Sequence, residues 1–437
     1  RGEGNHPVST TLERPAGSAS EPAHVTQLAP RSWRTPILMA VAAAIGLVAF
    51  GFFGADESVQ FRWSGQNDTV QLEPLVASAR AVGLLMGTLA VAAAVAAFWF
   101  ASQRRKVPVW LVLIVGLSFL IGLVSWVGAG GNVPVVFLLT GAIALSTPIV
   151  FGGLAGVIGE RVGVVNIAIE AQLLVGAFIA ALVASTTGSY AAAIIGAMIG
   201  GAAVAVVLAT FAIVYLVDQV VVGVVLIGLV SAITNFFYSM LLTKDSANLN
   251  NPGTLPRLPI PFLSDIPVLG PVLFNQRITT YLMFILVPLV WFILFRTTVG
   301  LRIRALGENP LAADTVGIKV NPWRFWVVTV AGLIAGLGGA ALTIGAVGAF
   351  MRDMSAGQGF IALAAVILGR WNPWGMAAAA LLFGFSSNFR VWAGQSGSDL
   401  PPDLIAMIPY VVTILAVAVV AGRVIGPKAA GKPYIKE

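Results

Sequence analysis

The sequence predicts an all-α protein, a polytopic transmembrane helical bundle. Three observations predict it: 58% of the 437 residues are hydrophobic, only 10% are charged, and the uncharged residues fall in runs of membrane-spanning length. A water-soluble domain needs about a quarter charged residues to cover its surface, so most of this surface faces lipid. The 48 glycines, interleaved with alanine, suit helices that pack closely in a bilayer. The absence of cysteine removes disulfides, thiolate catalysis and thiolate metal sites, and the two histidines, His6 and His24, stand in the polar N-terminal segment. A histidine-based metal or catalytic centre in the membrane body is therefore excluded. The net charge of +7 sits in short clusters between apolar runs rather than along one face, which points to topology and not to nucleic acid.

Each crossing needs about 20 apolar residues. Residues 1–35, rich in Pro, Ser and Thr without periodicity, read as a disordered cytoplasmic tail and not as a signal peptide, because about thirty polar residues precede the first apolar run. The runs 36–54, 81–102 and 108–130 form an N-terminal group of helices over residues 36–130. A second domain, 134–422, carries the runs 134–158, 171–217, 219–243, 278–295, 325–351 and 404–422. The run 171–217 is too long for one crossing and breaks at Thr186-Thr187-Gly188-Ser189. A short segment, Gly359 to Gly369, and a longer one, Gly375 to Asn388, are separated by Arg370-Trp371-Asn372-Pro373. About ten to twelve membrane segments result, some of them broken or re-entrant. Residues 423–437 form a C-terminal tail. The Lys and Arg clusters fall on one side if the segments alternate, which puts both termini in the cytoplasm. The loop 243–277, with six prolines, reads as an ordered external cap suited either to a docking role or to plain packing.

Between Arg161 and Asp218 the only ionisable residue is Glu170. A carboxylate in a membrane segment faces the bundle interior or a water-filled cavity. Asn166 and Glu170, four apart, share one helical face, while Gln172 turns away unless the helix breaks. Two readings stand side by side: Glu170 lines a solute pathway, or it braces a broken helix by pairing with Arg161 or backbone amides. The segment Gly359–Arg370 has similar spacing to Ile167–Gly176, and paired interruptions point to internal repeats and a midplane pathway. In the stretch 298–322, Asn309-Pro310 is a helix-start signal for a short amphipathic helix beginning at Leu311 and closed by Gly317. Such a helix is suited to seat in a groove on a soluble subunit, with Arg304 and Glu308 at the rim and Leu311, Ala312 and Ala313 filling it; an ordinary solvated loop is the plainer alternative.

The segment GLRIRALGENPLAADTVGIKV, residues 300–320, resembles the cytoplasmic coupling region of ABC importer permeases for branched-chain amino acids, simple sugars and nucleosides. Upstream, TPIVFGGLAGVIGERVGVVNIAIEAQLLVGAF, residues 147–178, resembles the ERxGVVNIGxEG signature of the sugar and nucleoside branch, nearest to nucleoside (purine) permeases. The likeness covers about residues 134–422. It departs at Ala168 and Ala171, where the family has glycine, and at Gln172, where methionine is common, which alters backbone approach and polarity beside Glu170.

The resemblance implies a transport subunit and not an enzyme, multi-pass in the cytoplasmic membrane of a bacterium. The chain has no phosphate-binding loop, so it binds no cofactor of its own and ATP is used by a partner. The implied partners are an ABC ATPase subunit, a second related permease in a heterodimer, an extracytoplasmic substrate-binding lipoprotein, a small-molecule solute and membrane lipid, with no nucleic acid. Its coupling residues would be Arg304, Gly307, Glu308, Asn309, Pro310, Leu311, Ala312 and Ala313. Its pathway residues would be Asn166, Glu170, Gln172, Asn235 and Phe236, carboxylate, amide and aromatic groups that can meet a nucleoside. A simple-sugar permease for a ribose- or galactose-like solute is the alternative within the class. An ion-coupled secondary transporter, with Glu170 as proton carrier, and a membrane scaffold are the alternatives outside it.

Overall fold

A computed structural model describes residues 33–65, 70–396, 403, 407 and 426–436. In chain order the long helices are α1 (Arg34–Phe52), α2 (Ala79–Ser102), α3 (Val109–Val127), α4 (Val135–Arg161), α5 (Ile169–Thr187), α6 (Tyr190–Val214) and α7 (Gln219–Leu242). After the four-residue α8 (Ser246–Leu249) come α9 (Ile278–Arg296), α10 (Thr298–Glu308), α11 (Pro310–Thr315), α12 (Val320–Val347), α13 (Gln358–Leu368) and α14 (Pro373–Gln395). Among the described residues, nine of these helices are long and apolar enough to cross a membrane. The chain is thus a polytopic helical membrane protein, as its composition predicts. Residues 1–32 of the predicted tail 1–35 and most of the predicted crossing 404–422 lie outside the described residues, while Arg34 and Thr35 of that tail already belong to α1.

The predicted break in 171–217 is a helix end at Gly188, which adopts φ +66°, a left-handed conformation that glycine reaches without steric cost. Helices α1, α2 and α3 pack on one another around Met39, Ala94, Ala97 and Leu111. They meet the rest through a small sheet of β1 (Ser58–Arg62), β2 (Leu75–Ser78) and β3 (Asn132–Pro134), whose Val59 and Val133 are buried with Phe389 and Trp392 of α14.

Helix α12 is the axis of the second region, against which α4, α5 and α6 pack. Glycine permits the close approach: a Cβ at Gly336 would stand 2.1 Å from the Ala197 carbonyl oxygen, and one at Gly339 2.3 Å from that of Leu173. These seams join backbone to backbone, the small-residue packing expected where lipid supplies no hydrophobic drive between helices.

One end of the bundle is capped by residues 243–277, ordered as expected. There β4 (Arg257–Pro259) pairs antiparallel with β5 (Asn275–Arg277), and the Leu255 N–H donates to the Ile344 carbonyl at 2.8 Å. Arg277 donates to the Gly345 carbonyl; burial first, and the neighbouring Arg257 second, hold its pKa below the usual arginine value. The other end, here called the basic end, carries Arg161, Arg304, Lys319, Arg324 and the 426–436 segment.

Two helices begin inside the bundle. After α4 the chain turns back through residues 162–168, and Ile169 at the start of α5 lies against Gly152 and Gly156 of α4, roughly 8–14 Å inside the end of that helix by helical rise. After α12, which runs opposite to α4, the chain folds in through residues 348–357 and α13 starts with Gly359 against Glu170. Helix α13 then follows α4, with Ala362 beside Gly152 and Val366 beside Gly156, whereas α5 follows α12 the other way. The two interrupted segments therefore form an inverted pair whose N-termini meet within the protein.

Candidate functional site

At that meeting point Glu170 is buried, at 7% exposure. Its carboxylate accepts the backbone N–H of Gly357 at 2.8 Å and of Gly359 at 2.6 Å. A helix start leaves N–H groups without intrahelical partners, and a carboxylate satisfies them while opposing the positive end of the helix dipole. The partners are backbone amides and not Arg161, whose guanidinium donates to the Trp371 carbonyl at 3.1 and 3.2 Å and lies over the Phe295 ring. Glu160 accepts from the Trp371 indole, which fixes the turn after α13 to the end of α4.

Asn166 and Glu170 do not share a helical face. The helix breaks before Ile169, Asn166 sits in the irregular return loop, and Gln172 bends back so that the Asn166 amide donates to its Oε1 at 3.0 Å. Both side chains are fully buried. Asn166 Oδ1 and Gln172 Nε2 keep no hydrogen-bond partner.

A second polar group lies on α7. Ser231, Asn235 and Ser239 recur at four-residue spacing and form one stripe. Residues 351–353 of the inward fold lie over it: Ser231 Oγ donates to the Asp353 carboxylate, the Asn235 amide donates to both its oxygens at 3.1 and 3.2 Å, and Arg352 donates to Ser239 Oγ. The Arg352 guanidinium stacks over Tyr238, 5.4 Å from the ring centroid. Asp353 holds φ +48°, a conformation uncommon outside glycine. Among the described residues no ion pair joins its carboxylate to a cation.

Ser231 stands midway along α7, so Asp353 is exposed at mid-depth of a membrane helix. Placing such a charge against lipid costs about 3 kcal/mol or more. Hence this face of α7 meets water or another protein surface, although Val224, Val225, Ile233 and Phe236 on the helix are also exposed. Phe236 packs edge-to-face on Phe237, which leans on Phe178.

At the basic end the short-helix signal holds. Asn309 caps α11, accepting the Ala312 N–H at 3.1 Å, Pro310 is its first residue, and Gly317 at φ +84° follows its end. Residues 298–308 form the separate helix α10, capped by Thr297, whose hydroxyl accepts the Gly300 N–H at 3.1 Å. Glu308, Asn309, Leu311 and Ala312 are exposed and Pro310 half-buried. Ala313 and Gly307 are buried in the chain itself, Gly307 so tightly that a Cβ would lie 2.2 Å from the Arg161 carbonyl oxygen. Arg304 is turned over Phe295. Beneath them Arg324, 2% exposed, donates to the carbonyls of Val162 at 3.2 Å, Leu306 at 3.4 Å and Lys432 at 3.0 Å, and Lys436 pairs with Asp314 at 3.7 Å.

A family model described as a branched-chain amino acid transport system permease component matches residues 138–417. The chain belongs to this permease family. The permease is 36% identical over 309 residues to the nucleoside ABC transporter permease protein NupC of Lactococcus lactis, covering 68% of this chain and 96% of that protein. It is 37% identical over 308 residues, 68% of this chain and 96% of the other, to the guanosine ABC transporter permease protein NupQ of Bacillus subtilis. A glucose ABC transporter permease protein of Haloferax volcanii, TsgB13, is 26% identical over 312 residues, with 64% of this chain and 80% of that one covered. No solved structure matches the permease at a significant level.

The permease thus holds the residues singled out in its sequence in three places: Asn166, Glu170 and Gln172 at the two helix starts, Asn235 and Phe236 on α7, and residues 304–313 at the basic end. Sequence reasoning missed Arg352 and Asp353. Their signal was an arginine and an aspartate adjoining the long uncharged run 325–351, next to a second interruption already recognised at Gly359.

Proposed function

We propose that this chain is the transmembrane subunit of an ABC importer for nucleosides, energised by a separate ATPase. The observation that carries the reading is the pair of helix starts joined by Glu170 beside an α7 face that cannot rest against lipid. Half-helices that begin within a membrane protein line solute sites in transporters, and the similarity to nucleoside and guanosine permeases supplies the solute. Asn235 and Phe236 belong to the pathway. Asn166, Glu170 and Gln172 position its walls.

The ATPase docks at the basic end on Glu308, Asn309, Leu311 and Ala312, with Arg304, Gly307, Pro310 and Ala313 holding that surface in shape. The basic end is cytoplasmic, with both termini on that side, and the 243–277 cap faces a substrate-binding lipoprotein. A second, related permease covers the α7 face and completes the pathway. The likeness to a glucose permease favours a simple sugar as the second reading.

Uptake by the assembled transporter, with its ATPase and binding protein, decides between them. ATP-dependent accumulation of uridine or guanosine that excess ribose or galactose leaves intact is expected. Strong inhibition by the free sugars alone moves the assignment to sugars, and accumulation that continues without the ATPase defeats the ABC reading altogether.

A further inference from the structure

A pathway for a polar solute needs a group on this chain that reads it. Glu170 is occupied by the start of α13, whereas Asp353, at mid-depth of α7, is exposed. Resting on the nucleoside reading, we propose that Asp353, held against Ser231 and Asn235 of α7, recognises the vicinal hydroxyls of the solute's ribose.

Three observations converge. The carboxylate lies exposed at mid-depth on a face that cannot rest against lipid, so a passing solute can reach it. It is fixed from two sides: by α7, through Ser231 Oγ and the Asn235 amide, and by a backbone at φ +48°. An ionised carboxylate offers about four acceptor positions, and these neighbours leave part of that capacity unused.

A neutral solute rich in hydroxyls presents what such a group lacks, two adjacent O–H donors, and charge-assisted hydrogen bonds of this type are the strong ones. Both candidate solutes, nucleoside and sugar, carry vicinal hydroxyls. Arg352 is drawn one turn along α7 to Ser239 and Tyr238, so it does not occupy the carboxylate.

The test compares uridine with 2′-deoxyuridine in the complete transporter, keeping the same binding protein for wild type and variant so that its own selectivity cancels. Asp353→Asn is expected to lower the uridine-to-deoxyuridine ratio of kcat/KM by about ten-fold or more, with deoxyuridine uptake little changed, in line with the loss of a hydrogen bond to a charged acceptor. An unchanged ratio, or equal loss of both solutes, overturns the proposal and leaves the nucleoside reading in place. A loss confined to guanosine would assign Asp353 to a base edge and overturn the ribose role. Wild-type transporter that takes up neither uridine nor guanosine overturns both.

Should Asp353→Asn fail to assemble, Ser231→Cys places one thiol in a chain that has none. Its labelling by a membrane-impermeant thiol reagent should be blocked by uridine and not by deoxyuridine. A thiol that never labels in the assembled transporter marks a dry interface and rejects the proposal.

Discussion

The carboxylate of Glu170 accepts the backbone N–H of Gly359 at 2.6 Å, so a side chain in the first turn of α5 satisfies the start of α13. The negative charge stands between two positive helix ends, and the two interrupted segments depend on each other through it. Of the two roles its isolation in the sequence allowed, the geometry supports the brace.

Glu170→Ala leaves the Gly357 and Gly359 amides without their acceptor in a buried place, at a cost of roughly 2–4 kcal/mol. Glu170→Gln keeps one acceptor oxygen and turns an NH2 towards the other amide. The thermal midpoint of the purified permease should therefore fall in the order wild type, Gln, Ala. Equal midpoints for all three would remove the bracing role.

Arg324 holds three carbonyls that belong to the end of α4, the end of α10 and the 426–436 segment. A planar guanidinium reaches several acceptors at once; an ammonium does so poorly. Arg324→Lys should free residues 426–436 for limited proteolysis while the bundle still assembles, and Arg324→Ala should also lower yield. Protease resistance equal to wild type in the lysine variant would contradict the arrangement.

The glycine seam separates crowded from open positions. Gly336→Ala drives a Cβ to 2.1 Å from the Ala197 carbonyl oxygen, and overpacking of this kind costs about 1–3 kcal/mol or more. A Cβ at Gly228 of α7 meets nothing within 4 Å, so Gly228→Ala should be neutral or slightly stabilising in a helix. Thermal melting in detergent of the two variants checks this, and a milder effect at Gly336 than at Gly228 would refute the seam.

A cysteine at position 312 should crosslink to the ATPase subunit, because Ala312 is exposed, whereas one at 313 should not, because Ala313 is 3% exposed. Ala313→Trp acts on the fold of the basic end before it acts on any partner. Crosslinking at 313 with none at 312 would reverse the assigned face of α11.

Long uncharged runs made almost every described crossing legible, since a helix that meets lipid on one side and helices on the other stays apolar all round. Asn309-Pro310 and Gly188 were legible because caps are local chemistry. What stayed hidden depends on distant contacts. The amides that hold Glu170 lie nearly two hundred residues away in the chain. Arg324 read as a topology charge although it is buried, and α11, of six residues, is too short for its pattern to tell that Ala313 turns inward. The depth of the Arg352-Asp353 pair is set by contacts with α7, more than a hundred residues away in the chain.

Helix α12 leaves the segment that follows α11 and ends at the segment that bears Asp353, spanning 28 residues, about 42 Å at helical rise. Its glycine contacts join it to α5 and α6 backbone to backbone, so the three helices form one closely bound unit. A tilt of about 5° at the basic end then carries the far end by roughly 4 Å over that length, comparable to the width of a hydroxyl group with its hydrogen bond. Leverage of this size would turn a small displacement at the basic end into the difference between a solute held and a solute let go.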